Sequence, residues 1–152
     1  DMPGSCRKFS FGAYGGVKSS VRVFESAIDL MSFATLMETA INDWKKENLL
    51  SLSGVFLPPK DMTETKVPVS LQTFLKTHPE IEKIYLHFDR DFAGKSSAER
   101  LIAVLGKNYA VRYVPPPEGK DFNDYLRKKQ NIPMKKEAKR WKPQPNPTVF
   151  TR

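Results

Sequence analysis

The sequence predicts an α/β fold built on a mostly parallel sheet. Three observations carry this expectation. The chain has 152 residues, the size of one ordinary domain. It is 39% hydrophobic and 28% charged, a composition that suits a soluble globular chain and not a disordered or membrane-spanning one. After a first pair of short strands, strand-like and helix-like stretches alternate as β-α-β-α-β-α-β-α. Alternation of that kind needs crossover connections, and so four mostly parallel strands.

The elements follow in order. Phe9-Ser10-Phe11 alternates, glycines stand at 12, 15 and 16, and Val21-Arg22-Val23-Phe24 comes next; this predicts a β-hairpin. Ala27, Leu30, Met31, Ala34, Met37, Ile41 and Trp44 recur at spacings of three and four, which predicts an amphipathic helix from Ala27 to Trp44. Leu49 to Phe56 reads as a buried strand, and the three prolines between Leu57 and Pro68 as a surface loop. A short helix over Val69–Lys76 precedes Pro79. Lys83 to Phe88 is the strongest strand pattern. Ala93–Leu105 is helical with Gly106 as its stop, and Tyr109–Val114 is a strand ended by three prolines. Asp121 is placed to cap a last helix that runs to Lys129.

Charge is unevenly distributed. Nine of the 25 basic residues but one of the 17 acidic residues follow Leu126, leaving 16 of each before it. The whole excess of +8 therefore lies at the C-terminus, where Arg127, Lys128 and Lys129 are followed by further lysines and by Pro143, Pro145 and Pro147. This tail reads either as a solvated linker or as an electrostatic contact to phosphate backbone. The organisation expected is a hairpin segment over 1–20, a main domain over 21–130 and a basic, Pro-rich tail over 131–152. The longest uncharged-looking stretch, Ala27 to Met37, is broken by Asp29, Ser32 and Thr35, so no membrane partner is expected. The single cysteine, Cys6, forms no internal disulfide, and a reducing cytoplasm is the expected compartment. The start at Asp1-Met2 reads as internal to a longer chain.

Open parallel sheets bind ligands beyond the carboxyl ends of their strands. Glu25 closes one strand, Asp89 and Asp91 close another, and Asp121 and Asp124 open the last helix, so all five fall on that edge. Asp89 and Asp91 are two apart, and their side chains point the same way in extended backbone. Paired carboxylates repel unless a cation sits between them, and Mg²⁺ suits one or two carboxylates plus water and phosphate. The alternative for the pair is a solvated turn with Asp91 capping the next helix. Lys95, at a helix start, is a phosphate contact or a solvated lysine, and Lys120 lies beside the same edge. Asp29 faces the site or only favours its helix N-terminus. His87 reads as a core histidine rather than a catalyst.

Val23-Phe24-Glu25-Ser26-Ala27-Ile28-Asp29, His87-Phe88-Asp89-Arg90-Asp91-Phe92-Ala93-Gly94-Lys95 and Gly119-Lys120-Asp121-Phe122-Asn123-Asp124 together resemble the motifs of Toprim domains, in the same order and over residues 21–129. The closest likeness is to primase-like Toprim-containing proteins of bacterial plasmids and conjugative elements. The resemblance implies a compact Rossmann-like sheet with helices on both faces. It implies Mg²⁺, with Mn²⁺ as a substitute, on Asp89 and Asp91, and acid–base work or metal binding by Glu25. Asp121 and Asp124 are weaker metal candidates. Three positions depart from the family pattern. Ser26 stands where glycine is usual, Arg90 separates the aspartates, and the last segment reads Asp121-Phe122-Asn123-Asp124.

The function expected is Mg²⁺-dependent nucleotidyl or phosphoryl transfer in DNA replication or transfer of a mobile element. A Toprim nuclease, or a non-catalytic nucleic-acid-binding module of a larger protein, are the alternatives. Expected partners are nucleic acid, DNA foremost, and further domains of a longer chain. Lys95, Lys120, Arg127, Lys128 and Lys129 are the expected phosphate contacts.

Overall fold

The computed structural model describes residue 6 and residues 8–15, 19–52 and 66–132. In chain order these form β1 (Gly12–Ala13), β2 (Ser20–Phe24), α1 (Ala27–Thr39), β3 (Asn48–Ser51), α2 (Val69–Thr77), β4 (Lys83–His87), α3 (Phe92–Leu105), β5 (Ala110–Tyr113) and α4 (Phe122–Lys129). The strands make one five-stranded sheet in the order β1-β3-β2-β4-β5. All neighbours are parallel except β1, which runs antiparallel to β3.

The fifth strand is the N-terminal one. It precedes β2 as expected, but its antiparallel partner is β3, because both edges of β2 are already taken by β3 and β4. Helix α1 ends at Thr39 and does not reach Trp44. The Thr39 hydroxyl bonds back to the Leu36 carbonyl, Ile41 turns to φ 58°, and Asp43 starts a separate short turn by accepting from the Lys45 N–H. Strand β3 ends at Ser51, ahead of the expected Phe56, and residues 53–65 and 133–152 lie outside the described residues. That range holds most of the expected Pro-rich loop and tail. No helix among the described residues is long and apolar enough to cross a membrane.

Helices cover both faces. Val21 and Val23 of β2 and Ile84 and Leu86 of β4 pack with Leu71, Phe74 and Leu75 of α2 and Ala98, Leu101 and Leu105 of α3. On the other face Phe24 and Leu49 meet Leu30 of α1 and Phe122 of α4. That second face also carries polar groups, because residues of one strand alternate between faces. Arg22 lies opposite Tyr85 and Phe24 opposite His87 in register. The Arg22 guanidinium lies 5.0 Å from the Tyr85 ring, and Phe24 stacks on His87 at 5.0 Å.

Arg22 Nε donates to Glu47 Oε2 at 2.9 Å, and Arg22 Nη1 lies 3.1 Å from His87 Nε2. Guanidinium has no acceptor, so His87 Nε2 accepts. Burial first, and then the Arg22 charge, push the His87 pKa down to about 3. The expected core histidine is therefore neutral. Glu47 is buried, so removing Arg22 takes from a charge held out of water the guanidinium it contacts at 2.9 Å. Arg22→Met is expected to cost about 3 kcal/mol in urea unfolding, and Arg22→Met/Glu47→Leu to recover most of it. A loss in the double variant as large as in the single would remove the ion pair as the cause.

Candidate functional site

Three chain segments converge at the carboxyl ends of β2, β4 and β5. The β2–β4 register puts Phe24 beside His87, so Glu25 and the Asp89–Asp91 turn emerge next to each other. Glu25 Oε1 accepts from the Asp89 N–H at 3.1 Å. The Tyr113 hydroxyl, at the end of β5, donates to the Asp89 carbonyl at 2.7 Å. The loop before α4 is tied to the same turn: the Arg90 N–H donates to the Lys120 carbonyl and Arg90 Nη1 to the Pro117 carbonyl, both at 2.7 Å.

Three helices that start at this edge are capped by side chains of the motifs. Ser26, the departure from glycine in the first motif, is the N-cap of α1 and accepts from the Asp29 N–H. Asp91 caps α3 by accepting from Gly94 N–H at 2.9 Å, and Asp121 caps α4 by accepting from Asp124 N–H at 2.7 Å. Asp29 faces the site side of α1, where Oδ2 accepts from the Ser26 hydroxyl and Oδ1 accepts from the Asn123 N–H of α4 at 3.3 Å.

The structure thus joins Glu25, Asp89, Asp91 and Lys120 directly. Lys120 Nζ lies 3.1 Å from Asp89 Oδ2 and 3.4 Å from Asp91 Oδ2. Lys120 is the counter-ion of the aspartate pair. Asp121 and Asp124 are engaged with backbone: Asp121 caps α4, and Asp124 accepts from the Lys120 N–H at 3.4 Å. Lys95 lies on the exposed side of α3, 4.0 Å from Glu99. Arg127, Lys128 and Lys129 sit in the last turn of α4, roughly 10 Å from its N-terminus. The structure does not bring Lys95 or these three onto the carboxylates.

Among the described residues no group of three or more His, Cys, Asp or Glu side chains is placed to hold a metal ion. The aspartate pair alone fits a divalent cation, since one positive atom already sits within 3.4 Å of both carboxylates. Two carboxylates, with water and phosphate completing the shell, suit Mg²⁺. Glu25 is half-buried and its pKa is raised to about 7, first by burial and then by the charges of Asp89, Asp91 and Asp29. Asp89 is raised by burial, against the pull of Lys120, whereas Asp91 is lowered by the Gly94 N–H. Tyr113 is raised by burial and by the neighbouring carboxylates.

Two residues of the site were not singled out from the sequence. Tyr113 carries no local signal, since only the β4–β5 pairing brings it to Asp89. Gly94 lies within the second motif, and its reason is steric: a Cβ there would sit 2.4 Å from the Asp89 carbonyl oxygen and 2.9 Å from Glu25 Oε1.

The Toprim-like family model matches residues 22–126. The fold is similar to the crystal structure of the primase fragment of the bacteriophage T7 primase-helicase protein, with a TM-score of 0.51 and 24% sequence identity. The match covers 78% of this chain and 41% of that one, so the chain spans less than half of the fragment it matches. No curated protein sequence matches the chain.

Two outcomes follow from the geometry. Gly→Ala inside a helix ordinarily stabilises by up to about 1 kcal/mol. Gly94→Ala is instead expected to destabilise by about 1–3 kcal/mol, through the forced shift of the Asp89 backbone, and to move the Asp89 amide resonance. An unshifted amide with wild-type stability would remove the close approach as a constraint. The second outcome is a pH dependence. Glu25 binds its proton more tightly folded than unfolded, so its contribution is complete below about 4.5 and is lost as pH rises through about 7. In EDTA, Glu25→Gln should gain stability relative to wild type between pH 4 and pH 8; a pH-independent difference would place the Glu25 pKa near its ordinary value.

Proposed function

The chain belongs to the Toprim-like family, and from that premise we propose that its carboxyl edge is the Mg²⁺-dependent site of a primase-like nucleotidyltransferase acting on DNA. The observation that supports this most is the pairing of unlike carboxylates. Glu25 is partly protonated near neutral pH and stands beside an aspartate pair converging on one cation. Groups whose surroundings push their pKa values apart divide acid–base from electrostatic roles.

In this reading Asp89 and Asp91 hold the metal. When bound, Mg²⁺ neutralises phosphate charge and orients the reacting phosphate. The Asp89 N–H keeps Glu25 Oε1 in place, which leaves Oε2 to receive the proton of the attacking hydroxyl as the oxygen–phosphorus bond forms and pyrophosphate leaves. Asp29 and Asp121 act through structure, holding α1 and α4 in line with the site. Arg127, Lys128 and Lys129, in the last turn of α4, supply phosphate-backbone attraction, and the basic residues that follow them in the sequence add to the charge. The resemblance of the three motifs to Toprim-containing proteins of plasmids and conjugative elements supports a role in replication or transfer of a mobile element. One observation favours the binding-module reading as the second: no three carboxylates among the described residues are placed to hold one metal ion.

The test uses the longest natural protein that carries this segment. Mn²⁺ should broaden resonances around Glu25, Asp89 and Asp91 in wild type, and much less in Asp89→Asn/Asp91→Asn; equal broadening rules out the metal site. In primer synthesis and strand cleavage assays with Mg²⁺ and Mn²⁺, Glu25→Gln should lose about 10²-fold or more in rate while keeping its fold. Undiminished activity in Glu25→Gln removes the proton-transfer role. Nucleic-acid binding without either activity in wild type selects the binding module.

A further inference from the structure

Lys120 has no role in the chemistry above, yet its placement is highly determined. The turn before it needs Gly119 at φ +79°, a conformation that side-chain-bearing residues rarely adopt. Its carbonyl accepts from Arg90 N–H, the residue between the two aspartates, and its own N–H donates to Asp124. The carbonyl therefore registers this loop against the Asp89–Asp91 turn, and the N–H ties it to α4. The ammonium that results lies 3.1 and 3.4 Å from the two carboxylates, while the side chain stays 58% exposed.

Resting on the metal reading above, we propose that Lys120 is an internal counter-ion that occupies the cation position between Asp89 and Asp91 and is displaced when a divalent metal binds. Two adjacent carboxylates repel each other, and a single positive charge relieves that repulsion without metal. A divalent ion relieves it more, and the exposed lysine stem lets the ammonium turn into solvent without breaking packing. Metal binding is then an exchange of cations, so Lys120 weakens the apparent metal affinity while keeping the site assembled without metal. The displaced ammonium remains on the rim of the same cleft.

Mn²⁺ binding, measured by electron paramagnetic resonance of free Mn²⁺, reads this exchange without any activity assay. Lys120→Met should bind Mn²⁺ about tenfold tighter than wild type, because a positive charge some 3 Å from both ligands is gone. Lys120→Arg, which keeps the charge, should stay near wild type. In wild type itself, Mg²⁺ should shift the Lys120 side-chain ¹⁵Nζ resonance and leave Lys95 in place, a measurement that needs no variant to fold. If Lys120→Met binds Mn²⁺ no tighter than wild type, or the Lys120 resonance ignores saturating Mg²⁺, the exchange is wrong and the metal site stands. If neither wild type nor Lys120→Met binds Mn²⁺, both the exchange and the metal site are wrong.

Discussion

The hydrogen bond from the Asp89 N–H to Glu25 Oε1 joins the ends of the two central strands, and the rest of the site is arranged around it. It needs two things at once. Strands β2 and β4 must be parallel neighbours in the register that sets Phe24 beside His87. Helix α3 must also approach closely enough that only a hydrogen fits at Gly94. Once both hold, Glu25 is half out of water among other carboxylates, and its raised pKa follows from position alone.

The same edge gathers several carboxylates, a costly arrangement unless each has a partner. The fold supplies different partners. Asp91 and Asp121 take N–H groups at the starts of α3 and α4, and Asp29 takes the Ser26 hydroxyl and an N–H of α4. Three helix N-termini thus face the acidic cluster with the favourable end of their dipoles. Asp89 shares Lys120 with Asp91. Among the described residues Glu25 is left with one backbone N–H and no cation, and it is the carboxylate whose pKa is raised to about 7.

Behind the site the sheet face toward α1 and α4 is not a plain apolar core. Arg22 spans Glu47 and His87, and Phe24, Phe33 and Phe122 surround the His87 ring at centroid distances of 5.0, 4.9 and 5.2 Å. This fixes α4, through Phe122, against β2 and β4. Because Lys120 and Asp121 immediately precede α4, the aromatic packing also determines where the loop that meets Asp89 and Asp91 can lie.

Alternation of β and α periodicity was enough to place the parallel strands, the covering helices and the edge on which Glu25, Asp89, Asp91 and Asp121 would fall. Those are consequences of local pattern, since the spacing of apolar side chains records which face of each segment is buried. Local pattern also marked Asp121 as a cap and His87 as a core residue. It did not reveal that β1 pairs with β3, that α1 stops at Thr39, or that Lys120 lies against both aspartates. It was equally silent on Tyr113 and on why residue 94 must be glycine. Each of these depends on which strand lies next to which and how closely two loops approach. Such contacts join residues such as Glu25 and Asp89, or Asp89 and Lys120, that are far apart in the chain, and no short-range spacing encodes them.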